Sequence, residues 1–357
     1  MEFLKCLPTV AVIKNEYQII VHTDSNGIIG IRIGDKVFYE ENSGVLSSEK
    51  NYAKINLPQE ILDNSCEYTV FFKKTVDRRA YFSEFEDEKS LSFKFKPLKK
   101  TDNINIYHIA DVHQNYAQAE KTCTYFGNDL DLFILNGDIG EVEREEDYFN
   151  VCEFSGKITK GEIPALFARG NHDARGKLAE KYTDFLPSDG KKTYFEFSVG
   201  VLGGIVMDCG EDKADSSNEY GGTNAFEPMR RRETEFLKAV SPKGKYVFAV
   251  SHICPLKVVG KDGGQFDIER DVYTEWNREL NRMGIEFMLS GHEHEIQIIK
   301  PCAGPQQNNY SVIVGSKTDY KTVEGTALTI KTAEFLLSLP MPNTMYLMKR
   351  NLIYKQN

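Results

Sequence analysis

Hydrophobic and polar residues follow two different patterns along the chain. In residues 1–98, short apolar or alternating runs recur, among them TVAVIK, YQIIVHT, GIIGIRI, YAKINL and EYTVFFKK. Turn residues separate these runs, as in HTDSNG and ENSG. Short β-type runs at this spacing indicate antiparallel strands that pack as a sandwich. We therefore predict a small all-β sandwich domain over residues 1–98.

The segment KPLKKTDN (96–103) is the predicted domain boundary, because a proline and several lysines separate two strand patterns there. After it, strand-like runs such as INIYHIAD and LDLFILNGD alternate with helical ones such as EEDYFNVCEFSGKI. This alternation favours βαβ units, in which helices cover a buried sheet. We predict a second, α/β domain over residues 99–357 and assign residues 321–357 to its last strands.

The predicted strands of this second domain end in polar residues of the same few kinds. Ligands in open α/β sheets bind at the carboxyl ends of the strands, so we expect these side chains to converge on one rim. Five of the seven histidines lie at these strand ends. Any one residue alone is as easily a turn or core residue, but the ordered set favours a site. The strand-end residues are Asp111, His113, Asp138, Asn171, His172, His252, His292 and His294.

The donor types in this set favour divalent transition metals. Carboxylates, imidazoles and one amide oxygen, without a thiolate, suit Mn, Fe, Zn or Ni, and the sequence leaves the identity of the metal open. We predict two such ions. Asp138 stands alone on its strand, as a carboxylate that bridges two metals would. Two ions about 3.5–4 Å apart can clamp the attacking and leaving oxygens of a displacement.

The five strand-end motifs, in this order, resemble the calcineurin-like metallophosphoesterase superfamily over residues 103–320. The resemblance implies a four-layer αββα sandwich in which a metal-bound hydroxide attacks phosphorus in line, without a covalent enzyme intermediate. It implies that His172 faces the scissile ester as general acid or transition-state stabiliser. By the same resemblance, one metal is held by Asp111, His113 and His294, the other by Asn171, His252 and His292, and Asp138 bridges them.

The N-terminal region carries a resemblance of its own. The segment LPQEILDNSCEYTVFF resembles the tyrosine corner of immunoglobulin-like and fibronectin-type domains, with Tyr68 as the corner residue. A β-sandwich before the catalytic domain is also similar to the architecture of purple acid phosphatases. The role of this domain stays open: it binds a partner, shapes the rim of the site, or only packs.

The stretch GDIGEV departs from two branches of the superfamily. Ser/Thr protein phosphatases carry Gly-Asp-x-x-Asp-Arg, whereas here Glu141 and Val142 stand in place of the Asp-Arg pair. Purple acid phosphatases place a tyrosine ligand of ferric iron where Glu141 stands, so we expect no such iron–tyrosinate site. Glu141 is instead predicted to orient His172 and favour its protonated form. The alternative is a solvated glutamate at the start of an acidic run.

Substrate contacts are the least determined part of the site. Arg169 and Arg175 flank the Gly-Asn-His-Asp motif and are candidates for phosphate binding, with surface ion pairs as the alternative. Residues 211–228 and 257–276 are the expected substrate loops. Their aromatic residues either stack on a leaving group or close a small satellite core. These aromatic residues are Tyr220, Phe226, Phe266 and Trp276, of which Tyr220 is the candidate substrate contact.

Composition narrows the possible partners. The formal net charge of -9 argues against a polymeric nucleic acid, since duplex binding needs a cationic face. No apolar run approaches the ~20 residues of a membrane span, and the N-terminus lacks the pattern of a signal peptide. The seven cysteines stand singly, which favours reduced thiols and a cytoplasmic location. His22 and His108, outside the strand ends, are expected to be structural.

We therefore predict a dinuclear metal-dependent hydrolase of a small phosphoric ester. Monoesterase and phosphodiesterase or nucleotidase activity remain open, because they differ in the loops. A non-catalytic scaffold on the same fold is the second hypothesis, although such proteins have typically lost metal ligands and here every ligand position is filled. A nuclease would need a basic groove, for which KPLKK and MRRRE are the only candidates. The oligomeric state is not predicted.

Overall fold

A computed structural model describes residues 2–256, 266–301, 308–318, 323–331, 334–338, 345–349 and 352–356. The helices in these ranges are α1 (Gln59–Ser65), α2 (Tyr116–Cys123), α3 (Glu145–Thr159), α4 (Tyr182–Phe185), α5 (Phe226–Ala239) and α6 (Arg270–Met283). The strands are β1 (Thr9–Ile13), β2 (Glu16–His22), β3 (Gly27–Ile33), β4 (Lys36–Phe38), β5 (Tyr52–Pro58), β6 (Glu67–Asp77), β7 (Glu84–Phe85), β8 (Lys89–Lys94), β9 (Ile104–Ile109), β10 (Leu132–Asn136), β11 (Pro164–Ala168), β12 (Phe195–Val199), β13 (Leu202–Met207), β14 (Tyr246–Ser251), β15 (Phe287–Ser290), β16 (Ile296–Ile299), β17 (Ser311–Gly315), β18 (Lys317–Thr318), β19 (Val323–Glu324), β20 (Thr326–Ile330), β21 (Glu334–Ser338), β22 (Met345–Lys349) and β23 (Leu352–Gln356).

The largest sheet has ten described strands, in the order β23-β22-β21-β20-β9-β10-β11-β1-β2-β5. Its centre is parallel, since β9, β10, β11 and β1 run in one direction. Every residue of β10 and β11 is buried, as expected for parallel strands covered on both faces. Strands β20 to β23 extend this sheet beyond β9, which agrees with the assignment of residues 321–357 where the structure describes them.

A second sheet of six described strands, β12-β13-β14-β15-β17-β16, faces the first. Side chains alternate along each buried strand, so β10 sends Ile134 into the core between the sheets and Phe133 into the core under α3. On the far side of the second sheet, Trp276 of α6 packs in a third core with Met288 of β15. The layers are therefore helix, sheet, sheet, helix, and the predicted α/β fold class is confirmed.

The N-terminal strands divide between two sheets. Strands β1, β2 and β5 form the edge of the ten-stranded sheet, where β1 pairs in parallel with β11. Strands β3, β4, β6, β7 and β8 form a separate sheet, whose buried face meets β2 and β5 in the same core. The N-terminal region is thus built of β-strands, and their pairing crosses the boundary at residue 98. The assignment of residues 1–98 to a separate domain stays a prediction.

Tyr68 ties these regions together in a way that differs from a tyrosine corner. Its buried hydroxyl donates to the carbonyl of Gly161, 2.9 Å away in the turn between α3 and β11. A corner tyrosine would bond to backbone of its own domain a few residues upstream. The upstream segment forms α1 instead, a helix that the strand pattern did not predict, and α1 ends at Cys66 in a left-handed conformation.

Two sequence-based expectations fall on residues outside the described ranges. The first half of the loop predicted at 257–276 lies there, from residue 257 to 265, and so does Cys302. In the described part of the chain, no helix combines the length and the hydropathy that crossing a bilayer requires.

We expect Tyr68→Phe to lower the free energy of unfolding by about 1–3 kcal/mol, because the carbonyl of Gly161 is left buried without its donor. Urea unfolding followed by circular dichroism measures the loss. Tyr81→Phe is the matched control, since Tyr81 is 81% exposed and its hydroxyl lies at the surface. Equal stability of the two variants would contradict a structural role for this bond.

Candidate metal centre

The two facing sheets present their carboxyl-terminal strand ends at a common rim. Asp111 follows β9, Asp138 follows β10 and Asn171 follows β11, while His252 and His292 follow β14 and β15 of the other sheet. Asp111, Asp138 and His252 are almost completely buried. The structure therefore brings together side chains that are up to 183 residues apart in sequence, from Asp111 to His294.

One group of potential ligands consists of Asp111, His113 and His294. The Nε2 atoms of His113 and His294 lie 3.1 Å apart, and His294 Nε2 lies 3.4 Å from Asp111 Oδ1. Two imidazole nitrogens that face each other beside a carboxylate oxygen converge on one point. That arrangement suits a shared cation.

A second group consists of Asp138, His252 and His292. His252 Nε2 lies 3.1 Å from Asp138 Oδ2 and 3.7 Å from Asp111 Oδ1, so it stands between the two carboxylates. His292 Nδ1 lies 3.1 Å from the amide oxygen of Asn171. Within each group, one ligand atom per residue lies within 4.8 Å of the others. All seven predicted ligands are thus in one continuous cluster.

Asn136, at the end of β10, holds the two sheets in register at the rim. Its carbonyl accepts a hydrogen bond from His252 Nδ1 at 2.6 Å, which leaves Nε2 for the centre of the cluster. Its side-chain amide donates to His108 Nε2 at 2.9 Å and to the carbonyl of Leu289 at 3.2 Å. Burial lowers the pKa of His108 to about 3, so this histidine is neutral and supports Asn136.

Asp173 is a residue of the site whose role was not predicted from the sequence. Its buried carboxylate accepts four backbone N–H groups, from Asp138, Ile139, Gly140 and Gly170, at 2.8–3.3 Å. It therefore holds the turn that carries Asp138 against the turn that carries Asn171. Its position at the end of the Gly-Asn-His-Asp motif is the sequence feature that could have indicated this role.

Five of the seven candidate ligands have a left-handed backbone, which is rare for residues with a side chain. Their φ angles range from 45° to 70°, and the residues are Asp111, His113, Asp138, His292 and His294. Neighbouring glycines allow the turns to approach closely. A Cβ on Gly170 would stand 2.2 Å from Asp138 Oδ1, and one on Gly291 would stand 2.8 Å from Asp111 Oδ2. The backbone strain is concentrated where the ligands are placed.

His172 lies at the open side of the cluster with its side chain 28% exposed. Its backbone N–H donates to Asp138 Oδ1 at 2.8 Å, and its Nε2 lies 3.9 Å from Asp138 Oδ2. Its Nδ1 donates to Glu141 Oε1 at 2.9 Å, so the expected carboxylate–imidazole contact is present. This hydrogen bond lowers the pKa of Glu141, which keeps the carboxylate charged.

The two candidate arginines have different surroundings. Arg169 is nearly buried, with Nε 2.8 Å from Asp208 Oδ2 and its guanidinium over the ring of Phe226. Arg175 is 30% exposed, and its Nη1 lies 3.1 Å from His172 Nε2. These contacts favour Arg175 for the predicted substrate contact, and the corresponding role of Arg169 stays a prediction.

The aromatic residues of the predicted loops are mostly occupied within the protein. Trp276 is fully buried and donates from Nε1 to Thr234 Oγ1, and Phe226 is packed under Arg169. Tyr220 is buried and its hydroxyl lies 3.1 Å from both Glu211 and Asp212. Phe266 is 55% exposed. For Trp276, which packs in the third core, the satellite-core alternative describes the observed packing.

Among the histidines of the cluster, His252 has the largest shift in pKa. Burial disfavours its charged form, but Asp138 and Asp111 outweigh burial and raise the pKa of His252 to about 10. Burial lowers the pKa of His113 and of His292, which are therefore neutral donors. Hydrogen bonding to Asp111 raises the pKa of His294.

The donor set fits a divalent transition-metal centre. Neutral imidazoles, carboxylates and one amide oxygen converge from the two sheets, and the second nitrogen of His252 is fixed by a backbone carbonyl, as is usual for metal-binding histidines. A third group of potential ligands in the described residues consists of His113, Asp138 and His172. Asp138 therefore belongs to two of the three groups, which is the position that a bridging carboxylate would occupy.

Comparison with known proteins agrees with this description. A purple acid phosphatase isolated from yellow lupin (Lupinus luteus) seeds has a similar fold, with a TM-score of 0.57 and 11% identity over 98% of this chain and 73% of its own. A structure described as PhoD gives a TM-score of 0.59 and 11% identity over 98% of this chain and 91% of its own. A family model described as calcineurin-like phosphoesterase matches residues 104–295, more than half of the chain. No curated protein matches the sequence.

We expect the binding of Zn²⁺ or Mn²⁺ to release a proton from His252. Since its pKa of about 10 lies above neutrality, the metal-free imidazole is protonated at pH 7.5 and must lose this proton to become a ligand. Apparent metal affinity should therefore rise with pH, by up to about tenfold per unit below that pKa. Calorimetric titrations in buffers of different ionisation enthalpy count the protons released.

His252→Asn should release fewer protons, whereas His22→Gln, a change at a buried histidine of β2, should release as many as the unaltered protein. Proton release that is the same in all three proteins would show that His252 is not the titrating ligand.

Proposed function

The chain belongs to the calcineurin-like phosphoesterase family and is a phosphoric ester hydrolase, and from this premise we propose that it acts on a small phosphorylated substrate through a two-metal centre. The observation that carries the proposal is the convergence of seven metal-binding side chains from five strand ends of two facing sheets. The proposed ions are divalent transition metals such as Mn, Fe, Zn or Ni.

The contacts support an assignment of ligands to the two ions. Asp111, His113 and His294 form the first described group, which supports one site. His252 and His292, with the oxygen of Asn171 beside His292, support the other site. Asp138 is grouped with His252 and His292 of one site and with His113 of the other, which supports its role as the bridge.

The roles of the protein groups follow from their positions. When bound, the cations would acidify a water molecule and neutralise the charge of the phosphoryl group. His172 Nε2 faces the same space as Asp138 Oδ2, where it would stabilise the transition state or, when it is protonated and no longer accepts from Arg175 Nη1, give a proton to the leaving oxygen. Glu141 accepts from Nδ1 and so fixes the ring with Nε2 towards the substrate. Glu141 is thus a positioning residue.

The scaffold hypothesis is the second candidate function, and the completeness of the ligand set argues against it, since no predicted ligand lies outside the cluster. A cytoplasmic location is also part of the proposal. It is supported by Cys6, Cys66, Cys123, Cys152, Cys209 and Cys254, the cysteines in the described ranges, which are all free thiols.

A panel of phosphomonoesters, phosphodiesters and nucleotides, supplemented with Mn²⁺, Zn²⁺, Fe²⁺ or Ni²⁺, tests the proposed activity. We expect Asp138→Ala and His172→Ala each to lower kcat by at least about 100-fold. Only Asp138→Ala should also lose metal, because the family resemblance places His172 outside the ligand set, although His172 lies beside His113 and Asp138. Metal analysis of protein purified without chelator should find close to two ions per chain. Loss of metal in both variants would make His172 a ligand instead of an acid.

We expect Glu141→Gln to lower kcat by about tenfold while leaving the metal content unchanged, because it weakens the bond that orients His172. Glu143→Gln is the matched control: it removes a neighbouring carboxylate that is 53% exposed and pairs only loosely with Lys177 at 3.7 Å. If Glu141→Gln and the control have the same kcat, Glu141 does not orient His172 and is a solvated glutamate of the acidic run.

A further inference from the structure

A buried glutamate that the sequence did not single out holds Arg175 at the edge of the metal centre. Glu211 follows β13 and is completely buried. Its two carboxylate oxygens accept from Arg175 Nε at 2.7 Å and from Arg175 Nη2 at 2.8 Å. Such a forked pair fixes the plane of the guanidinium as well as its position.

Glu211 is itself held by the surrounding core. The hydroxyl of Tyr220 donates to its Oε2 at 3.1 Å. Arg230, which is fully buried on α5, donates from Nη2 to the backbone carbonyl of Glu211 and from Nε to that of Cys209. The carboxylate therefore has little freedom to follow Arg175, and the arginine is placed by the fold.

The pair with Glu211 leaves Nη1 of Arg175 outside the fork, and because Nη1 has two N–H groups, it can donate to His172 and to one further partner. Its Nη1 atom points away from Glu211 and lies 3.1 Å from His172 Nε2, which in turn lies 3.9 Å from Asp138 Oδ2. Nη1 thus faces the space beside the proposed bridging carboxylate, on the side where His172 would meet the ester. Arg175 is 30% exposed, so its side chain is partly accessible at the edge of the cluster.

We propose that Arg175, positioned by Glu211, binds a terminal oxygen of the phosphoryl group and makes the enzyme selective for phosphomonoesters. A monoester has three terminal oxygens and carries close to two negative charges at neutral pH, whereas a diester has two such oxygens and one charge. The bound cations would neutralise part of this charge, and Arg175 would supply a partner for a terminal oxygen that a diester lacks. This inference rests on the proposed function and names the substrate class of the same site.

The ratio of kcat/KM for a monoester to that for a diester with the same leaving group tests the proposal. We expect Arg175→Gln to lower this ratio by at least about tenfold, since a hydrogen bond to a charged group contributes about 1.5–3 kcal/mol and the diester lacks the third oxygen. Lys177→Gln is the matched control, because it removes a cation two residues away that is 83% exposed. A merely structural role would lower both activities alike.

Two further variants distinguish the loss of the phosphate contact from misfolding. Arg175→Gln alone leaves the buried carboxylate of Glu211 unpaired, whereas Arg175→Gln together with Glu211→Gln removes both charges and should fold normally. Glu211→Gln alone keeps the cation but loosens its fork, and we expect it to raise KM for the monoester more than it lowers kcat. Metal content should be unchanged in all of these variants.

Binding of inorganic phosphate to the metal-loaded protein, measured by calorimetry, gives a readout that needs no turnover. Arg175→Gln should weaken it by about 10–100-fold and Lys177→Gln should not. Unchanged phosphate binding, a diester preference in the unaltered protein, or an equal loss for both esters would each overturn the role of Arg175. Failure of every ester in the unaltered protein would instead overturn the proposed function, and phosphate binding would then still decide for or against Arg175.

Discussion

The contact between His252 and the opposite sheet is the constraint on which the site depends. The imidazole lies at the end of β14, yet its Nδ1 donates to the carbonyl of Asn136 on β10, and its Nε2 stands between Asp138 and Asp111. Together with the bond from the Asn136 amide to the carbonyl of Leu289, this contact ties the two sheets together at their rim.

Placing so many polar groups together requires local support. Asp173 satisfies the backbone N–H groups of the turn after β10, and Gly170 and Gly291 leave room where a Cβ would collide with the carboxylates. The left-handed backbone at five candidate ligands costs of order 1 kcal/mol or more each and persists only because the surrounding structure holds it. The rigid sheets carry this strain, so the ligands are preorganised.

Arg175 and Glu211, beside the candidate metal centre, are positioned differently from the candidate ligands. The ligands come from strand ends, whereas Arg175 and Glu211 come from the segments beyond them, and their position depends on Arg230 of α5. In the proposed function, the ion pair of Arg175 and Glu211 would therefore influence which ester is bound without contributing a metal ligand. His172 lies between these two parts and contacts both, through Asp138 on one side and Arg175 on the other.

Several features of the molecule were accessible from the sequence. The runs that became β9, β10, β11, β14 and β15 were predicted as buried strands, and their polar ends as one rim, because side-chain periodicity and strand polarity are local properties. The pairing of β1 with β11 was not predicted, since an edge strand pairs with whichever neighbour the assembled sheet offers. The bond from Tyr68 to Gly161 and the helix α1 were missed for a similar reason.

The sequence by itself determined the residue types of the site and their order along the chain, because metal chemistry needs those donors at the ends of successive strands. The tertiary structure alone decided which arginine faces the site. In the sequence, Arg169 and Arg175 flank the same motif and cannot be distinguished. In the structure, Arg169 is nearly buried and pairs with Asp208, whereas Arg175 pairs with Glu211 and contacts His172. Which carboxylate meets which guanidinium depends on packing between distant segments, and no local pattern records it.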